Sequence, residues 1–295
     1  MTARGTDYEL LDFGDGRKLE RYGDVVLDRP CPTAASIVRR RPELWRNAAA
    51  RYQANRTGDG EWTPSAAKWA NADWQFNHEA AAKFRLQLAA LPSGQVGVFP
   101  EQRENWDWIA RQIAKHASFV PQKGPPRVLN LFAYTGASTL AAAAAGAEVT
   151  HVDAARSMIE RARQNAALSG FAECPIRWII EDALKFARRE LKRGNRYDAV
   201  ILDPPSYGHG PGGEAWKIGE HLLPLLQVCG ELTAENRAFV LVTCHTPGIG
   251  PAELSAYLAE GIFGHCGQPP AAGELFLETR DGRRLPSGVF ARWPR

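Results

Sequence analysis

Three aspartates, Asp153, Asp182 and Asp203, stand where short apolar runs end, a position suited to contacts with a nucleotide-like ligand. Asp153 lies 17 residues after Gly136. A carboxylate there can accept hydrogen bonds from a ribose diol, and one at Asp182 can accept from the amino group of an adenine. For both residues the alternative is a helix N-cap, a position that aspartate also favours.

Gly136 lies in the stretch NLFAYTGAST, residues 130–139, between a predicted strand and an alanine-rich predicted helix. Glycine permits a positive φ at such a turn, and the backbone N–H groups at a helix start can bind a carboxylate or a phosphate. A dinucleotide pyrophosphate requires several glycines. The single glycine therefore favours a smaller anionic group, such as the carboxylate of an amino acid. The alternative is an ordinary helix N-cap by Thr135.

The third aspartate opens the sequence Asp203-Pro204-Pro205-Ser206-Tyr207. Two consecutive prolines fix φ and lack N–H donors, so they favour an irregular, extended loop. An acidic residue at a strand end, followed by such a rigid loop, can present a carboxylate and backbone carbonyls to a planar amine or base. The alternative is that the prolines simply end the strand.

Cys244 ends another apolar run, VLVTC, and is followed by His245. A cysteine thiolate at the end of a strand can act as a nucleophile that adds covalently to a bound substrate. A neighbouring positive charge, such as a protonated His245, lowers the pKa of a thiol for this purpose. An inert, buried thiol at a strand end is the alternative, and both interpretations stay open at this point.

Predicted strands and helices alternate from residue 128 to residue 243. This alternation indicates a mostly parallel, doubly wound α/β sheet covered by helices on both faces, whose ligands bind beyond the carboxyl ends of the strands. The predicted strands are 128–132, 148–152, 176–180, 199–202 and 238–243, followed by 274–278 and 289–293, one of which runs antiparallel. Asn165, near the end of a predicted helix, is expected to pack against the loop at Asp203.

The N-terminal part has a different pattern. A strand–turn–strand signal surrounds residues 14–16, and further strands are predicted within 75–88 and 95–99, which indicates a smaller β-rich or α+β module. A helix is predicted at 104–117, and the stretch FVPQKGPPR, residues 119–127, is typical of a linker. The predicted domains are therefore 1–120, including the connecting helix, and 121–295.

Net charge, cysteine content and the absence of long apolar runs limit the classes of protein to which this sequence can belong. A formal net charge of +3 does not by itself indicate a polyanionic partner, and the basic clusters at 39–41 and 188–196 are interpreted first as solvated faces. Five scattered cysteines without a C-x-x-C pair argue against zinc and disulfide frameworks, and free thiols fit a reducing compartment. Without a long apolar run or a signal-like N-terminus, we expect a cytoplasmic protein without a metal or a membrane anchor.

Several of these stretches together resemble a known family. FAYTGAST, then Asp153, ARQNAALSG, EDALKF and YDAVILDPPS resemble the class I S-adenosylmethionine-dependent methyltransferases. More closely, they resemble the bacterial large-subunit ribosomal RNA methyltransferases of the 5-methylcytosine and 7-methylguanine type. The resemblance covers about residues 95–295 and includes VGVFPEQRENWDWIARQI, where Pro100-Glu101 departs from the aspartate that usually precedes Gln-Arg.

The resemblance implies a seven-stranded sheet and a bound S-adenosylmethionine. By that resemblance, Phe132, Ala133 and Gly136 would line the methionine end of the cofactor, and Thr135 would also bind it. Asp153 would bind the ribose, Asp182 the adenine, and Asp203 the region of the transferred methyl. Arg103 would approach the cofactor or its loop from outside. Pro204, Pro205, Ser206 and Tyr207 would contact the acceptor, and the related 5-methylcytosine enzymes carry their nucleophile in the segment of Cys244. The expected acceptor is a ribosomal RNA base, with cytosine C5 as one candidate; a protein or small-molecule acceptor is the alternative.

Overall fold

The computed structural model describes residues 7–55, 59–71, 73–119, 124–265, 267 and 269–294. The chain divides into two compact units. The first comprises the chain up to His78 together with Arg85–Glu101 and Phe276–Ser287; the second comprises Glu79–Phe84, Gln102–Leu275 and the chain from Gly288 onward.

The first unit is built around a five-stranded sheet with strand order β1-β2-β3-β4-β5. Its strands are β1 Tyr8–Gly14, β2 Arg17–Tyr22, β3 Val25–Pro30, β4 Ala50–Ala54 and β5 Gly60–Thr63. Neighbouring strands run antiparallel, except for β3 and β4, which are parallel. A two-stranded sheet follows in the chain, formed by β6 Gln75–Glu79 and β7 Lys83–Gln87. The β-rich character predicted for this part of the chain is confirmed.

The second unit contains alternating strands and helices. They are α1 Arg103–Phe119, β8 Arg127–Leu131, α2 Ala137–Ala144, β9 Glu148–Asp153, α3 Arg156–Leu168, β10 Ile176–Ile180, α4 Ala183–Lys192, β11 Ala199–Leu202, β12 Tyr207–His209, β13 Ala215–Lys217, α5 Ile218–Leu232, β14 Phe239–Cys244, α6 Pro251–Leu258, β15 Ala271–Glu278 and β16 Arg284–Trp293. A π-helical turn, Ala259–Phe263, continues α6.

The central sheet has seven strands in the order β10-β9-β8-β11-β14-β16-β15. The strands from β10 to β14 pair in parallel, and β16 pairs antiparallel with β14. Strands β8, β9 and β10 lie on one side of the boundary between β8 and β11, and the later strands of this sheet lie on the other. The strand order therefore reverses between β8 and β11. A ligand of a doubly wound sheet binds at such a reversal, beyond the carboxyl ends of the strands. The predicted fold class is confirmed.

Side chains alternate between the two faces of this sheet. Val200 and Leu202 join a core cluster with residues of α4, α5 and α6, whereas Ala199 and Ile201 join a second cluster with residues of α1 and α2. The helix predicted at 104–117 therefore covers the sheet of the second unit, although the sequence grouped it with the N-terminal module. A boundary drawn after residue 120 would separate this helix from its sheet; residues 120–123 of the predicted linker lie outside the described residues.

The strand predicted at residues 95–99 is not formed. Gly94 and Gly97 adopt φ values of 77° and 94°, which lie outside the β region. The segment instead makes isolated backbone hydrogen bonds, from Ala89 N to the Val96 carbonyl and from Leu91 N to the Gln95 carbonyl.

No described helix combines the length and the apolar character that crossing a membrane requires. Likewise, the described His, Cys, Asp and Glu side chains include no group of three or more that could hold a metal ion.

Candidate functional site

The loop between β8 and α2, residues 132–136, is the glycine loop. It contains three residues in the left-handed region: Phe132 with φ 56°, Tyr134 with φ 49° and Gly136 with φ 94°. The positive φ at Gly136 favours glycine, and a Cβ added there would also lie close to the Cβ of Ala162, at 3.1 Å. Gly136, rather than Thr135, is the N-cap of α2, and it offers no side-chain cap.

Asp153 holds the glycine loop through both of its carboxylate oxygens. Oδ2 accepts a hydrogen bond from Tyr134 N at 2.8 Å, and Oδ1 accepts one from Ala155 N at 2.9 Å. Burial raises the pKa of Asp153, and the two N–H donors oppose this rise. Left-handed non-glycine residues carry strain and persist where their surroundings hold them. Asp153 therefore braces Tyr134 in this conformation, whatever further contact it makes to a ribose.

Asn165 supports the same loop from α3. Its Nδ2 donates to the Thr135 carbonyl at 2.9 Å, and the side chain is buried. The structure thus shows Asn165 against the glycine loop, and its packing against the loop at Asp203 stays a prediction. Position along α3 could not reveal this, because the partner is set by where the glycine loop crosses the helix.

A buried polar chain lies beneath the glycine loop. Asn130 Nδ2 donates to Thr139 Oγ1 at 2.9 Å, and Thr139 Oγ1 lies 2.8 Å from His151 Nδ1. The His151 ring also packs against Trp178 at 4.8 Å between centroids. Burial lowers the pKa of His151 to about 3, so the imidazole is neutral. The chain links β8, β9 and α2 under the Gly136 backbone; the sequence analysis did not identify it, because three polar residues in apolar surroundings give no sign of which ones meet.

The end of β10 carries two carboxylates with different partners. Glu181 forms a salt bridge with Arg189 at 2.5 Å. Asp182 is the N-cap of α4, and its Oδ1 accepts from Lys185 N at 2.9 Å. The N-cap alternative for Asp182 is thus observed, and its contact to an adenine stays a prediction that would fall to the second carboxylate oxygen.

The segment 203–207 forms the acceptor loop, and Asp203 connects it to the segment after β14. Asp203 Oδ1 accepts from Thr243 Oγ1 at 2.6 Å and lies 3.5 Å from His245 Nε2. Burial alone would raise the pKa of Asp203, but its contacts with His245 and Thr243 lower it below the usual value. Asp203 is therefore a carboxylate at neutral pH, and one of its oxygens is already committed to neighbours.

Two further side chains, from Thr246 and Trp216, contact the rest of the acceptor loop. Ser206 Oγ and Thr246 Oγ1 are 2.7 Å apart, and Trp216 Nε1 donates to the Pro205 carbonyl at 2.7 Å. The ring of Trp216 packs against Phe132 of the glycine loop, with 4.7 Å between centroids. The acceptor loop thus has a fixed path beside the glycine loop.

Individual side chains of the acceptor loop differ in exposure. Pro204 is buried, whereas Pro205, Ser206 and Tyr207 are exposed, and the Tyr207 hydroxyl lies 3.0 Å from His209 Nε2. A fixed backbone with exposed side chains at its outer end is suited to contacts with an incoming molecule.

Cys244 shares a sheet edge with Asp203 but lies on the other face. Leu202 is paired in register with Val242, so Asp203 and Thr243 lie next to one another on one face. Cys244 points to the opposite face, where it belongs to the core cluster with Val242 and is 1% exposed. Its sulfur accepts a hydrogen bond from Thr246 N at 3.4 Å. Cys244 thus lies buried beside Thr246, whose hydroxyl contacts Ser206 of the same loop as Asp203, and its role as a nucleophile stays a prediction.

Arg103 is the first residue of α1, the helix that packs against α2, and Ala133 is buried within the glycine loop. Their contacts with a cofactor stay predictions. Thr243 and Thr246 belong to the same edge of the sheet and were missed by the sequence analysis. The signal that identifies Thr243 is its position opposite Asp203 in the parallel register of β11 and β14.

Comparisons with known proteins agree with this geometry. The family described as S-adenosylmethionine-dependent methyltransferase matches residues 50–261. A crystal structure of a SAM-dependent methyltransferase from Agrobacterium tumefaciens is 36% identical, with a TM-score of 0.85, and the match covers 99% of this chain and 91% of that one.

Several curated relatives bear the name ribosomal RNA large subunit methyltransferase I, and two of them illustrate the match. The one from Aeromonas salmonicida is 33% identical over 114 residues, which is 38% of this chain and 26% of the relative. The one from Shewanella denitrificans is 35% identical over 124 residues, which is 42% of this chain and 29% of the relative. The matched segments thus span little more than a quarter of these relatives.

Proposed function

The chain belongs to the S-adenosylmethionine-dependent methyltransferases, and we propose that it transfers the methyl group to a base of ribosomal RNA. The observation that carries this proposal is the acceptor loop, which is fixed beside the glycine loop through the contact of Trp216 with Phe132. The names of the curated relatives support RNA as the acceptor.

The glycine loop and its neighbours fit the cofactor. The left-handed Gly136 lets the glycine loop pass close to Ala162, and Phe132, Ala133 and Thr135 belong to the same turn. Asp153 accepts from the ribose, and the second oxygen of Asp182 accepts from the adenine. Bound S-adenosylmethionine supplies an electrophilic methyl group on its sulfonium.

Asp203 orients the acceptor. Its carboxylate remains ionised because His245 and Thr243 lower its pKa. An ionised carboxylate and the carbonyls of the proline pair accept hydrogen bonds from a planar amine, while Ser206 and Tyr207 contact the outer edge of the base. Because the methyl group is already activated, positioning of the acceptor atom contributes much of the rate.

The acceptor is a nitrogen of the base rather than cytosine C5. A carbon acceptor requires a thiolate that reaches the ring, whereas Cys244 is buried on the sheet face opposite Asp203. In this proposal Cys244 is a structural thiol, the alternative that the sequence left open. A planar nitrogen of a protein or of a small molecule is the competing acceptor, since the same loop can accept any planar N–H donor.

The test is methyl transfer from labelled S-adenosylmethionine to three separate pools: deproteinised ribosomal RNA, bulk protein and a metabolite extract. Wild type, Cys244→Ala and the matched control Cys229→Ala are compared; Cys229 is equally buried, in α5. We expect label in RNA with all three proteins. Label in RNA that is lost only with Cys244→Ala would overturn the nitrogen acceptor, and label confined to protein or metabolites would overturn the RNA proposal.

A further inference from the structure

We propose that residues 37–47 of the first unit, here called the arginine segment, bind the phosphate backbone of the substrate RNA. This inference rests on the proposed function, since it assigns a binding surface to the same RNA. The segment reads IVRRRPELWRN and carries four arginines against one glutamate.

The backbone of the arginine segment is fixed by a buried carboxylate. Asp12, which is 0% exposed, accepts from Arg41 N at 3.0 Å, from Arg40 N at 3.3 Å and from Trp45 Nε1 at 2.9 Å. Arg283 Nη2 also donates to Asp12, at 2.5 Å. Burial alone raises the pKa of Asp12, but these donors lower it, so the carboxylate is ionised at neutral pH. One buried anion thus orients two consecutive arginines and the tryptophan that follows them.

Two further contacts hold the start of the segment. Asp15 N donates to the Ile37 carbonyl at 2.7 Å. The segment also passes so close to Gly14 that a Cβ added there would lie 2.4 Å from Arg39 N. The segment is therefore held in place before any partner binds, which lowers the entropy lost on binding.

The arginine side chains of this segment give it a positively charged surface. The Arg39 guanidinium stacks on the Trp45 ring at 3.8 Å and pairs with Asp15, whereas Arg40 and Arg46 are exposed. Neither Arg40 nor Arg46 takes part in an ion pair with any described residue. Guanidinium groups bind phosphates through paired N–H donors, so these two are available for a polyanion.

In the other basic cluster, on α4, three basic side chains form ion pairs with acidic residues. Lys185 pairs with Glu214 at 3.2 Å, Arg189 with Glu181 at 2.5 Å and Arg193 with Glu190 at 3.8 Å. Because its charges are largely compensated, the α4 face is the expected solvated surface. Its exposed Arg188 and Lys192 therefore provide a matched control for charge reversal.

The experiment compares the full-length wild type with Arg40→Glu/Arg46→Glu and with the control Arg188→Glu/Lys192→Glu. The probe is a fluorescein-labelled single-stranded RNA of mixed sequence, and anisotropy gives Kd between about 50 and 200 mM salt, where phosphate contacts dominate. We expect the first variant to bind about tenfold more weakly or worse, and the magnitude of the slope of log K against log salt to fall by about 1.4, the value for two phosphate contacts on a single strand. The control should bind like wild type.

Two further readouts separate the possible failures. Thermal unfolding and S-adenosylmethionine binding should be unchanged in both variants, because all four side chains are exposed. If wild type methylates ribosomal RNA and Arg40→Glu/Arg46→Glu binds and methylates it equally well, the arginine segment is not the binding surface and the proposed function stands. Equal weakening by both variants would also overturn the local assignment. If wild type transfers label only to protein, the proposed function fails and this inference fails with it.

Discussion

The buried His151 gives a quantitative prediction about stability and pH. Its pKa is lowered to about 3 by burial, whereas the unfolded chain has a histidine pKa of about 6.5. As the pH falls below 6.5, only the unfolded state takes up the proton, so the stabilisation that is present at higher pH is progressively lost. Linkage gives a loss of about 2 kcal/mol between pH 7.5 and pH 5.0.

Replacing His151 with glutamine removes this proton without removing polarity. Urea unfolding followed by circular dichroism at pH 7.5 and pH 5.0 measures the change in free energy of unfolding for each protein. We expect wild type to lose about 2 kcal/mol more than His151→Gln over this range, because the carboxylates titrate in both proteins and cancel. The matched control is His116→Gln, on the partly exposed side of α1.

The decisive quantity is the difference in pH dependence, not the stability of the variant at one pH. His151→Gln can be less stable at pH 7.5, since it alters the contact with Thr139. If wild type and His151→Gln lose the same free energy on acidification, His151 is not held neutral and the argument is refuted. The control His116→Gln should follow wild type.

Two further predictions concern the site itself. Asp153→Asn places an amide N–H against Tyr134 N or Ala155 N, so we expect a loss of about 1–3 kcal/mol in S-adenosylmethionine binding, measured by calorimetry. The control Asp198→Asn alters an acceptor for Arg127 N at the opposite sheet edge and should bind the cofactor normally. Equal affinities of the two variants would remove Asp153 from the cofactor site. Gly288→Ala would place a Cβ 2.7 Å from His245 Nδ1 and displace that ring from Asp203, so kcat should fall several-fold with cofactor Kd unchanged. An unchanged kcat would show that the His245 contact does not matter.

The apolar pattern predicted the central sheet well, for a physical reason. Strands β10 and β11 have the bounds predicted from the sequence, 176–180 and 199–202. For β11, whose four residues are all buried, a short apolar run is what a strand covered on both faces requires, whereas β10 lies at the sheet edge and its burial is only partial. The segment 95–99 is also largely apolar, yet Gly97 within it and Gly94 just before it have positive φ values, and the sequence alone does not say which conformation a glycine adopts.

The candidate site was predictable in part. The sequence placed Asp203 and Cys244 at one edge, which the parallel sheet confirms. It could not place them on opposite faces, because a face depends on the register between β11 and β14, and a shift of one residue reverses it. The hydrogen bonds that join Asn130, Thr139 and His151 were equally unpredictable, since these residues are distant in sequence and meet only in the folded protein.

The alternation of side chains along β14 has a consequence for how this acceptor site can change. Thr243 and His245 both contact Asp203, and Cys244 between them belongs to the core. Exchanging the residue types at 244 and 245 would carry a thiol from the apolar interior to the carboxylate, while leaving the cofactor loops untouched. Under the proposed function, the choice between a nitrogen and a ring-carbon acceptor would therefore depend here on the order of two neighbouring residues.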